Sequence, residues 1–176
     1  MVRFFYFFIF LFLINSCSSY KTNENGLPRV PSQRFSKLEE ISSWLSNDSL
    51  VFKSKAVFSY SENNKIEHYR LDESLRGGVG VLRFYNNNKV SLFHIDSIHK
   101  NEFNPKKGFM GFYGKKKDKL FVELFFHGDA HGGYLSKREL IIYAKDSIVL
   151  LDNVYASVYL TAKVPKEVLR EWKPDW

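Results

Sequence analysis

The chain has 176 residues, 44% hydrophobic and 17% aromatic, with 26 Lys+Arg against 19 Asp+Glu for a formal charge of +7. That length supports one domain, and a single cysteine, Cys17, excludes an internal disulfide. The modest positive charge bears on solubility and on attraction to anionic surfaces, and specifies neither a fold nor a ligand.

Residues 4–14 are all apolar or aromatic, preceded by Arg3 and followed by Asn15, Ser16, Cys17, Ser18 and Ser19. Such zoning is that of an export signal. A helix over this run would span about 16 Å, roughly half of a ~30 Å hydrocarbon core, so it is short for a membrane span. No second apolar run approaches the ~18 residues that spanning requires. The stretch Ile14-Asn15-Ser16-Cys17 resembles a bacterial lipobox. That resemblance implies diacylglycerol on the Cys17 thiol, cleavage of the bond before it and further acylation, palmitate included, of the new N-terminus. Acyl chains bury about 0.8 kcal/mol per CH₂, and two or three make a stable anchor. The predicted signal peptide is 1–16, and its removal takes away one cation, Arg3, leaving +6. Ser18 is not the aspartate that retains such lipoproteins in the inner membrane, so the resemblance implies an outer-membrane location.

Residues 17–35 are polar, carry two prolines and a glycine and show no hydrophobic period. They are predicted to be a flexible tether reaching about 23 Å on average. A domain over 36–176 follows. Ser36-Lys37-Leu38-Glu39 has capping-box form, and Leu38, Ile41, Trp44 and Leu45 share one helical face, predicting a short helix that ends at Asn47-Asp48.

Beyond residue 50 the period changes to alternation, broken about every 8–12 residues by turn residues. Strands are predicted over about 52–60, 65–71, 80–85, 89–96, 109–113, 119–127, 133–144, 148–151 and 154–163, with Asn86-Asn87-Asn88 as a tight turn. Roughly nine short antiparallel strands imply an all-β barrel or sandwich. A short helix over 166–172, with Val168, Leu169 and Trp172 on one face, ends the pattern.

The stretch GFYGKKKDKLFVELFF, residues 111–126, resembles the hairpins of lipocalin-like small lipoproteins of Gram-negative envelopes. Asp152-Asn153-Val154-Tyr155 is similar to part of a further lipocalin motif. The resemblance implies an up-and-down β-barrel of eight to ten strands, flanked by the two short helices, that takes a small apolar or amphipathic ligand.

His127, Asp129 and His131 alternate, so an extended chain would project them to one side about 6.6–6.8 Å apart, a spacing from which a divalent ion could be held. Gly128, Gly132 and Gly133 equally fit a solvated hairpin loop. Lys106, Lys107, Lys115, Lys116, Lys117 and Lys119 place six cations within fourteen residues. Such charges protect strand edges or attract lipid phosphates or a protein partner. His94, Asp96 and His99 lie close in sequence, in a pattern that fits a structural role. There is no G-x-S-x-G elbow, no H-E-x-x-H and no cysteine free to pair with a histidine. The sequence points away from an enzyme and from a cofactor, and after export nucleic acid is not an expected partner. A monomeric, lipid-anchored envelope protein is the expectation, with an interaction module working through its loops as the alternative.

Overall fold

A computed structural model describes residues 21–41, 51–60, 66–71, 79–96, 100–128, 132–170 and 172–176. Two short strands, β1 (Lys21–Thr22) and β2 (Pro28–Arg29), form a small hairpin. The body consists of β3 (Val51–Tyr60), β4 (Ile66–Leu71), β5 (Val79–Phe84), β6 (Lys89–Ile95), β7 (Phe109–Lys116), β8 (Lys119–Gly128), β9 (Gly132–Ala144), β10 (Ser147–Leu151) and β11 (Tyr155–Thr161), then helix α1 (Lys166–Arg170).

All pairings are antiparallel, and β11 returns to β3, so eight strands, β3 and β5 to β11, close an up-and-down barrel. β3 serves two partners along one edge: Val51–Lys53 pair with β5, and Ala56–Tyr60 with β4. Register shifts between Val158 and Tyr159 and between Ser147 and Ile148 mark bulges, which add the local twist that closure demands. The asparagine turn forms as expected, with the Tyr85 N–H donating to Lys89 O at 2.9 Å and Asn88 left-handed at φ 57°.

One face of every barrel strand points inward. Phe52, Leu82, Phe84, Val90, Tyr113, Val122, Ile148 and Leu150, all 0% exposed, pack together as the interior core. Phe84 meets Phe52 and Tyr113 edge-on, with centroids 5.8 and 5.0 Å away. Gly111 is the small residue this packing needs, because a Cβ there would lie 2.4 Å from Glu123 O.

Unlike a barrel that is wet outside, this one is covered over part of its wall. Leu169, with Val168 and Trp172, packs on Val51, Val81, Phe93, Ile95 and Phe103. Arg83, 1% exposed, reaches from β5 to donate through Nη2 to Leu169 O at 2.6 Å, near the end of α1. That double coverage explains why β5 reads as a nearly unbroken apolar run.

Two expectations are corrected. Over its described part, residues 21–35, the predicted tether is a strap docked on the outer face of β7 and β8. Val30 and Phe35 are buried against Met110 and Phe125, Asn23 Nδ2 donates to Lys106 O at 2.5 Å, and Arg29 donates to Pro105 O at 2.8 Å and pairs with Asp175 at 3.2 Å. Two well-placed apolar residues and a few polar anchors suffice to order a stretch that has no hydrophobic period. Residues 36–41 are not helical. The capping-box donors are taken by the barrel instead: Ser36 N–H donates to Glu123 Oε2 at 2.7 Å, and Glu39 exchanges backbone hydrogen bonds with Lys115 at 2.8 and 2.9 Å. Gly114 makes room for this crossing, since a Cβ there would meet Glu39 O at 2.6 Å and Leu38 Cβ at 2.8 Å. Ile41 then packs against the interior core. The remainder of the expected helix, residues 42–50 with Trp44 and Leu45, lies outside the described residues.

Candidate functional site

The two ends of the barrel differ. Where β7 finishes, Glu39, Leu38 and Ile41 lie across the wall and against the core. Where β7 starts, inward positions of four successive strands carry rings. His94 of β6 meets Phe109 of β7 at 6.0 Å, Phe109 meets Phe126 of β8 at 5.0 Å, and Phe126 stacks on Tyr134 of β9 at 5.5 Å with planes 27° apart. Register makes this row: Leu92 faces Phe109, Gly111 faces Leu124 and Phe126 faces Tyr134, so the rings stand side by side at one height. Phe109 and Phe126 are half-buried against the core, whereas His94 is exposed and Tyr134 is 59% exposed. Below the row the interior is filled, so among the described residues the row is inward surface that stays partly open.

On β9 the same inward alternation carries Arg138, opposite Val122 and two residues from Leu140. Its Nε lies 3.4 Å from Asp152 Oδ2. Asp152 also accepts from the N–H groups of Val154 and Tyr155 at 2.8 and 2.6 Å, which fixes the turn between β10 and β11.

On the outer wall Glu123, 2% exposed, is held by Ser36 and by Lys137 Nζ at 3.0 Å. Burial alone would push this carboxyl up, but the hydrogen bonds from Ser36 and the charge of Lys137 outweigh it and hold it below the usual carboxylate range. Burial lowers the Lys89 ammonium, which lies against Trp176 O, while nearby Asp175 opposes the shift.

The structure places some of the residues singled out from sequence and not others. His127 is exposed near the end of β8, while Asp129 and His131 lie outside the described residues. No group of three or more His, Cys, Asp or Glu side chains that could hold a metal occurs among the described residues. Of the second cluster, His94 belongs to the aromatic row, Asp96 follows β6 and His99 lies outside the described residues. Lys115, Lys116, Lys117 and Lys119 sit on the β7–β8 hairpin, with Lys117 left-handed at φ 56°. Lys115 is half-buried at the Glu39 bridge, and Lys119 pairs with Glu139 at 2.7 Å. Cys17 lies outside the described residues. No helix among the described residues is long and apolar enough to cross a membrane.

The fold and this geometry define a class: a closed eight-stranded antiparallel barrel with a packed interior and one ring-lined end. No protein-family model, no curated protein and no solved structure matches the chain.

Proposed function

We propose that this chain is a lipoprotein of the bacterial envelope, anchored through acylated Cys17, that takes a small amphipathic ligand at the aromatic end of a lipocalin-like barrel without transforming it. The observation that carries the binding reading is the His94–Phe109–Phe126–Tyr134 row, half-exposed on the inward surface where β7 starts. Covering exposed rings gains about 25 cal/mol per Å² removed from water, and their faces suit a flat or chain-like apolar body. The lipobox and the lack of a second cysteine in the sequence support the anchor. Ser18 after it supports the outer membrane.

The binding reading is tested with 1-anilinonaphthalene-8-sulfonate on the folded chain. Saturable fluorescence enhancement is expected, weakened at least fivefold by Tyr134→Ala together with Phe126→Leu while the unfolding midpoint moves little. Enhancement unaffected by those substitutions would place the probe elsewhere. The anchor is tested by radiolabelled palmitate: incorporation is expected in the wild type and complete loss in Cys17→Ala, and equal labelling would end the lipoprotein reading.

A second reading, a module that docks an envelope protein, is favoured by the outer face of β9 to β11. There Ile141, Tyr143 and Leu160 are 39%, 83% and 41% exposed, away from the strap and α1. Failure of the dye to bind, with cross-links recovered from Tyr143, would select it.

A further inference from the structure

We infer that the docked strap fixes how the barrel sits on its bilayer: the flank covered by the strap, at the end where β7 starts, faces the phospholipid surface, and the Lys115–Lys119 hairpin points away from it. This rests on the proposed acylation of Cys17. Residues 18–20 alone separate that anchor from Lys21, the first residue of the described strap. Four chain steps reach at most about 14 Å, against the roughly 23 Å average of a tether running to residue 35.

The attachment point is defined by several contacts. Lys21 pairs with Arg29. Arg29 donates to Pro105 O and Gly108 O, just before β7, pairs with Asp175 and lies 5.1 Å over the Trp176 ring. Asn23 and Asn25 both donate to Lys106 O. From there the strap runs along β7 to the Glu39–Lys115 bridge near its far end. Eight strand residues span about 26 Å, so the hairpin at Lys117 lies beyond what four chain steps can reach. Lys106 and Lys107, by contrast, lie at the near end, where anionic headgroups would meet them. Phe109 also stands at that end, so the aromatic row opens toward the membrane rather than toward bulk solvent.

Once Cys17 is acylated, any introduced cysteine is the chain's one reactive thiol. Lys107→Cys, Lys117→Cys and Tyr143→Cys chains, each carrying a nitrobenzoxadiazole label, are bound to phosphatidylethanolamine–phosphatidylglycerol vesicles containing a nitroxide-headgroup lipid. Quenching at position 107 is expected to exceed that at 117 and 143 at least twofold. Adding Asn23→Ala with Arg29→Ala, which removes the two side chains that pin the near end of the strap to Pro105, Lys106 and Asp175, should level the three. Equal quenching in the strapped chains, or stronger quenching at 117, on a protein that floats with the vesicles overturns the orientation and leaves the anchor standing. A chain that does not float overturns both.

Discussion

Phe84→Ala is expected to lower the unfolding free energy by about 3–5 kcal/mol, and the melting temperature by roughly 10 °C for a domain of this size. Phe84 is 0% exposed and wedged between Phe52 and Tyr113. Its removal takes away transfer free energy and leaves a void that a closed barrel cannot collapse, because hydrogen-bonded strands fix the wall on every side. Phe84→Leu should cost far less, about 1–1.5 kcal/mol. Chemical denaturation of the three proteins separates the outcomes. A loss below about 1 kcal/mol for the alanine variant would mean an interior loose enough to hold a ligand, and would move the binding site from the aromatic end to the barrel centre.

Glu123→Ala is expected to release the strap. The carboxylate accepts from Ser36 at 2.7 Å and pairs with Lys137 at 3.0 Å while only 2% exposed, so deletion strands both partners. Lys137 keeps 34% of its side chain in solvent, which discounts its share, and a total of about 2–3 kcal/mol is expected. Limited trypsin digestion should then cut at exposed Arg34 and Lys37, which docking shields from the extended conformation a protease requires. Acid should act in the same direction. The folded carboxyl titrates below the ordinary Glu value of about 4.3, so its contribution is complete above that value and is lost as pH falls through the lower folded one. Protection that disappears with falling pH in the wild type, and shows no such titration in Glu123→Gln, is the expected pattern.

The barrel was legible because its signals are local. Alternation in 119–127 and the Asn86-Asn87-Asn88 turn each act within a few residues and appear where they were expected, while the expected strand over 109–113 runs on to Lys116 and leaves Lys117-Asp118 as the turn. Val168, Leu169 and Trp172 likewise pack on one cluster, with α1 described over Lys166–Arg170. The strap was illegible for the opposite reason. Val30 and Phe35 are isolated apolar residues in a polar stretch, and their partners Met110 and Phe125 lie 75 or more positions away. The capping box misled because its local hydrogen bonds compete with the stronger offer of a buried carboxylate and a free β7 edge. The aromatic row depends on the register of three strand pairs, which composition does not encode. Only Phe126 and Tyr134, placed symmetrically about a glycine-bearing loop, gave a hairpin signal that could have found part of it.

The seam between β3 and β11 joins Val57 to Ser157, a hundred positions later. Every other barrel pairing links strands that are neighbours in the chain or separated only by the β4 excursion, so they can form while the polypeptide is still emerging. The seam cannot, and loop-closure entropy makes it a late event. Until β11 arrives, β3 and β10 each present an unpaired edge, and an exported chain would pass through that state at whatever membrane it crosses. A truncation before Tyr155 would make the state permanent and turn a closed, self-satisfied sheet into one that recruits other strands.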